Sequence, residues 1–103
     1  MTVENIIRTF CECRSVEEPE LVNKKSTHVH ETKYLIWLYL HCEMGMSATQ
    51  LAKRFNRNRP SIFRGIRIIK HCIKYSDNMA RQYHDIVEKL EGAANATPSE
   101  DMD

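Results

Sequence analysis

A chain of 103 residues with 42% apolar content has room for one core and one domain. Three glycines and three prolines are too few for the many turns of a β-sandwich, and no run approaches the ~20 apolar residues that span a bilayer, so the composition predicts an all-α fold of five to six helices without a membrane partner. The net charge of +1 is an average over acidic ends and a basic middle.

Residues 1–23 set Arg8 and Arg14 against Glu4, Glu12, Glu17, Glu18 and Glu20, and residues 85–103 set Lys89 against six acidic residues. Between Thr49 and Ser76 stand Lys53, Arg54, Arg57, Arg59, Arg64, Arg67, Lys70 and Lys74 with no acidic residue among them. Solvated faces interleave both signs, so this block points to an anionic partner. The opening MTVENIIRTF lacks the basic-then-apolar order of a signal peptide, and Cys11, Cys13, Cys42 and Cys72 are expected as reduced thiols of a cytoplasmic protein.

In chain order, Thr2 is positioned to cap a helix over about Val3–Arg14, with Ile6, Ile7 and Phe10 inward. Ser15-Val16-Glu17-Glu18 has the Ser-x-x-Glu capping pattern and predicts a short second helix, with Pro19 in its first turn. Asn23–His30 reads as a loop. Tyr34 to Leu40 is apolar all round, which predicts a central buried helix over about Glu31–Glu43, ended by Gly45. Ser47-Ala48-Thr49-Gln50 offers a capping box for a helix over about Ala48–Arg54. Asn56-Arg57-Asn58 is a turn, and Pro60 stands in the first turn of a helix reaching about Tyr75. At 100° per residue, Ile62, Ile66, Ile69 and Ile73 share one face, while Arg64, Arg67, His71 and Lys74 share the other. A last helix over about Asn78–Leu90, capped by Asp77, carries Met79, Tyr83, Ile86 and Leu90. The domain is expected over residues 1–91, with a disordered acidic tail over 92–103.

A short helix, a polar turn and a longer helix whose outer face is basic is the order of a helix-turn-helix, in which the second helix enters the major groove with its N-terminal end first. Four stretches extend the pattern: Val3-Glu4-Asn5-Ile6-Ile7, the basic loop Lys24-Lys25-Ser26 through Val29, Lys33 to Leu40, and Ser47 to Phe55 followed by Asn56-Arg57-Asn58-Arg59-Pro60-Ser61-Ile62. Over residues 3–91 they resemble the C-terminal DNA-binding domain of the bacterial replication initiator DnaA. The resemblance implies a Trp-repressor-like architecture. It also implies that Lys25 stands where an arginine enters the minor groove, that Lys33 stands where an arginine contacts phosphate, and that His41 stands at a phosphate-contacting lysine. The family's Asp-His-Thr base-reading triplet is replaced by Asn58, Arg59 and Pro60, which implies altered specificity. In that reading Arg59 reads guanine, Asn58 pairs with adenine, and Ser61 keeps a small hydroxyl beside the groove. The DNA-binding residues expected from pattern and resemblance together are Lys25, Lys33, Ser47, Thr49, Arg57, Asn58, Arg59, Pro60, Ser61, Arg64 and Arg67.

No Gly-rich phosphate loop accompanies these residues, so the resemblance implies a small replication or transcription regulator rather than an initiator. The Cys and His pairs have the wrong spacing for zinc, and Cys42 and Cys72 are expected in the core. No nucleophile elbow or metal-binding helix motif points to an enzyme, and no cofactor is implied. The rival reading is a helical protein-interaction module that has lost DNA binding. A ligand-responsive repressor has no pocket signal in the sequence. Trp37, in the most apolar helix, is expected as a core residue, and Phe63 lies between the packed and basic faces.

Overall fold

The computed structural model describes residues 2–101, with side chains through Gly92. Among them six helices and no strand occur: α1 (Val3–Cys13), α2 (Glu20–Asn23), α3 (Thr27–Cys42), α4 (Ala48–Phe55), α5 (Arg59–Tyr75) and α6 (Asp77–Asp101). None is long and apolar enough to cross a membrane. Thr2 caps α1, its hydroxyl accepting from the Asn5 amide at 3.1 Å. Ser15 does not open the second helix as its Ser-x-x-Glu spacing predicts. It lies in the left-handed region at φ 56°, where it ends α1 instead. The turn before α2 is closed by Glu20, whose carboxylate accepts from the Glu17 amide at 2.9 Å, and α2 is a single turn.

The expected loop over Asn23–His30 is shorter than the sequence implies, because Ser26 caps α3 by accepting from the Val29 amide at 3.2 Å. The central helix therefore starts at Thr27, a turn ahead of Glu31. Leu35, Ile36, Trp37, Leu38, Tyr39 and Leu40 are all buried, as the unbroken apolar run predicts. Such a helix needs neighbours on every side, and α3 packs against α1, α2, α4 and α5. Gly45 takes φ +73°, the left-handed turn after α3 that glycine adopts at least cost. Cys42, at the last turn of α3, is exposed rather than in the core, and Cys72 is half-buried.

Arg14 joins three helices. Its guanidinium donates to Thr32 Oγ1 at 3.0 Å, to Glu31 Oε1 at 3.0 Å and to Gln82 Oε1, so α1, α3 and α6 share one buried cation. His28 closes the cluster from both ring nitrogens, donating from Nε2 to the Arg14 carbonyl at 2.6 Å and accepting at Nδ1 from the guanidinium at 3.2 Å. A buried charge with all three guanidinium nitrogens engaged costs far less than an orphaned one, which makes Arg14 a clamp rather than a liability. The α6 stripe of Met79, Ile86 and Leu90 is buried as predicted. Its cap is Ser76, accepting from the Met79 amide at 3.2 Å, one residue before the expected Asp77. Helical backbone continues past Leu90 to Asp101, into the stretch expected as a tail. The apolar periodicity stops at Leu90, but Ala93, Ala94 and Ala96 have high helix propensity. Met102 and Asp103 of that expected tail lie outside the described residues.

Candidate functional site

Local rules build the α4–turn–α5 unit. Ser47 and Gln50 form a reciprocal capping box: the Ser47 hydroxyl accepts from the Gln50 amide at 3.1 Å, and the Ser47 amide donates to Gln50 Oε1 at 2.8 Å. Asn56 ends α4 in the left-handed region at φ 55°, which asparagine tolerates. Asn58 then caps α5, its Oδ1 accepting from the Ser61 amide at 2.9 Å, and Pro60 occupies the first turn without a lost hydrogen bond. Ile62, Gly65, Ile66 and Ile69 form the buried face of α5. At Gly65 the helix lies so close to α3 that a Cβ would stand 2.7 Å from both Tyr34 Cδ1 and Trp37 Cζ3. With that face fixed, Arg64, Arg67, His71 and Lys74 are turned to solvent, as their spacing predicts.

The N-terminal half of this basic face is one wall of a cleft of about 370 Å³. Arg64 and Ser61 come from α5, Arg57 from the turn, Lys24 and Lys25 from the loop before α3, and His30, Lys33, Tyr34 and Trp37 from α3 itself. Among these lining residues no carboxylate occurs. Lys33 is the unusual member. It is 4% exposed, it makes no ion pair among the described residues, and its ammonium lies 5.6 Å from the centre of the Trp37 ring. Trp37 itself leaves its indole N–H buried without an acceptor among the described residues. Burial, and then the Arg57 guanidinium, hold the Lys33 pKa below the ordinary lysine value. Burial, followed by the charges of Lys33, Arg57 and Lys25, pushes the His30 imidazole down as well. Hydrogen-bond donors and positive charge are in excess, and the matching chemistry is an anion with several acceptor oxygens.

The expected site residues divide into two groups. Lys25, Lys33, Arg57, Ser61 and Arg64 converge on the cleft. Ser47, Thr49, Asn58, Arg59 and Pro60 stand instead at the N-terminal ends of α4 and α5, where Arg59 approaches Thr49 Oγ1 at 3.5 Å, and Arg67 lies further along the open face of α5. Three assignments change. Lys33 is buried in the lining of the cleft rather than standing on the open surface, because it shares a helical stripe with Val29, Ile36 and Leu40. The two-bond pairing of Asn58 with adenine would remove the Oδ1 that caps α5. His41 points its Nδ1–H at the Met46 carbonyl, 2.8 Å away, and borders a second shallow cleft with Phe63, Arg67 and Lys70.

The basic block is also less free than the linear sequence implies. Arg54 meets Glu4 of α1 at 3.5 Å, and Lys24 meets Glu20 at 3.4 Å, both in solvent, where screening leaves such pairs weak. His30, Tyr34 and Trp37 as cleft-lining residues escape the sequence reading altogether. A lysine inside an otherwise apolar i, i+4, i+7 stripe is the signal that marks the cleft. No protein-family model matches the chain, and no curated protein matches its sequence.

Proposed function

We propose that the protein binds duplex DNA through α4, the Asn56–Asn58 turn and α5, with α5 presented to the major groove by its N-terminal end and the Lys24–Lys25 loop meeting the adjacent backbone. The observation that carries this reading is convergence. Cations far apart in the chain, Lys25 in the loop, Arg57 in the turn and Arg64 on α5, meet at one cleft, Arg67 continues the face along α5, and all four stand exposed and outside any ion pair among the described residues. Such a surface gains affinity from phosphates by releasing counterions, whatever the base sequence. Within it Arg59 is the residue suited to reading bases. It is exposed, among the described residues it is held only by a long approach to Thr49, and its planar fork matches the O6 and N7 acceptors of guanine. The Trp-repressor-like arrangement and the likeness to the DnaA C-terminal domain belong to the same proposal, as does a role as a small replication or transcription regulator.

A protein-interaction module is the second reading, favoured by Phe63 and Ile68, which are 48% and 40% exposed on either flank of the same basic stripe. Selection from random duplexes separates the two. The DNA reading expects an enriched motif containing guanine, distinct from the DnaA box and weakened by Arg59→Ala. No retention of any duplex at low salt would favour the interaction module.

A further inference from the structure

The cleft beneath the proposed DNA-binding face gathers cations that include a buried one. Lys33, only 4% exposed and without a carboxylate partner among the described residues, is part of its lining. Lys25, Arg57 and Arg64 stand around its mouth, and the half-buried Ser61 adds a hydroxyl to the wall. A phosphodiester in a duplex is flanked by sugars on both sides, carries one charge, and meets a protein along a broad convex surface. A phosphomonoester has a free end, nearly two negative charges at neutral pH and three strong acceptor oxygens, so it suits a cleft that offers several cations to one group.

We propose that this cleft binds the terminal phosphate of a small phosphorylated ligand, with Lys33 and Arg64 as its principal cations, and that such a ligand excludes DNA from the same face. Binding of the monoester stands on the cleft alone, whereas the exclusion of DNA rests on the proposed function. The interaction would make the DNA affinity responsive to a soluble phosphate compound, because Arg57 and Arg64 serve both ligands and cannot serve them together.

Trp37 is the sole tryptophan and lies beside Lys33, so its emission reports occupancy. The full chain is titrated at constant ionic strength with inorganic phosphate, with adenosine 5′-monophosphate and with adenosine. Saturable changes are expected with the first two and none with adenosine. Lys33→Met and, at an exposed position that leaves the core intact, Arg64→Ser should each weaken the response by about tenfold or more. A fluorescent duplex bound to the same protein should be released by adenosine 5′-monophosphate and not by adenosine. Absence of a saturable response to either phosphate probe at ~10 mM, or an undiminished response in both variants, overturns the proposal. If the duplex still binds in that case, the DNA reading survives the loss of the cleft. If the monoester saturates but no duplex binds at low salt, the cleft stands and the DNA reading falls.

Discussion

Gly65→Ala tests whether α5 is seated on α3 as closely as described. Alanine is favoured over glycine in a helix interior by about 1 kcal/mol, so propensity alone expects a more stable protein. Against this, the new Cβ would stand 2.7 Å from Tyr34 Cδ1 and Trp37 Cζ3 and 2.8 Å from Trp37 Cε3. Carbon pairs rest at about 3.5–4.0 Å, so three contacts are short by close to 1 Å. Tyr34 is half-buried and can turn, but Trp37 is 1% exposed and wedged edge-on against Phe55, with ring centres 5.9 Å apart. Three such contacts, two of them with the wedged Trp37, put the cost at the upper end of the range for overpacking, about 2–3 kcal/mol, so after the propensity gain the net destabilisation should be about 1–2 kcal/mol. For a domain of this size that lowers Tm by about 4–15 °C. Circular dichroism at 222 nm with Trp37 emission follows the melt. Gly92→Ala, where nothing among the described residues lies within 4 Å, is the control and should be neutral or slightly stabilising. A Gly65→Ala protein as stable as the parent would refute the close packing of α5 on α3.

Other expectations follow from the same geometry. Arg64→Ala and Arg67→Ala should weaken all duplexes alike and each reduce the salt dependence by about one phosphate contact, whereas Arg59→Ala should chiefly change sequence preference; anisotropy with a panel of duplexes distinguishes the two patterns. Lys33→Met should raise Tm at pH 7, since it removes a buried and unpaired charge. Because the folded-state pKa of Lys33 lies below the unfolded value of about 10.5, the unfolded chain holds more protons between those two values, so the wild type gains stability across that interval and the advantage of Lys33→Met shrinks. Paired melts from pH 7 to 10.5 read this difference, and a lower Tm for the variant at pH 7 would contradict it. Burial, and then the nearby Glu18, Glu12, Glu17 and Glu20, push the Cys11 thiol up to about 11, so iodoacetamide at pH 8 should label the exposed Cys13 and Cys42 well before Cys11, as read by mass spectrometry. Early labelling of Cys11 would show that α1 is not packed as described.

Where a local rule decides the structure, the sequence is a good guide. The Ser47–Gln50 box, the left-handed Asn56, Pro60 in a first turn and the two faces of α5 each depend on residues within one or two turns of one another. Rules that compete locally are less decisive. Ser15 and Ser26 both have the chemistry of a cap, and only the path of the chain into α3 makes one a terminator and the other a starter. The cleft is hardest to read, since it assembles a loop, a turn and two helices separated in sequence. Its one local mark is Lys33, a charge in the stripe of Val29, Ile36 and Leu40. The Glu4–Arg54 pair is invisible for the same reason, as it joins residues that no window of a few turns contains.

The salt dependence of binding to duplex DNA tests the central claim most directly. Phosphate contacts from Lys25, Arg57, Arg64 and Arg67, about four in all, predict that log K falls against log salt with a slope near −3.6. Titration of a labelled duplex from ~50 to ~200 mM salt should therefore lower affinity by about two orders of magnitude, the loss expected for that slope. No binding at the lowest salt, or an affinity indifferent to salt, would contradict the account.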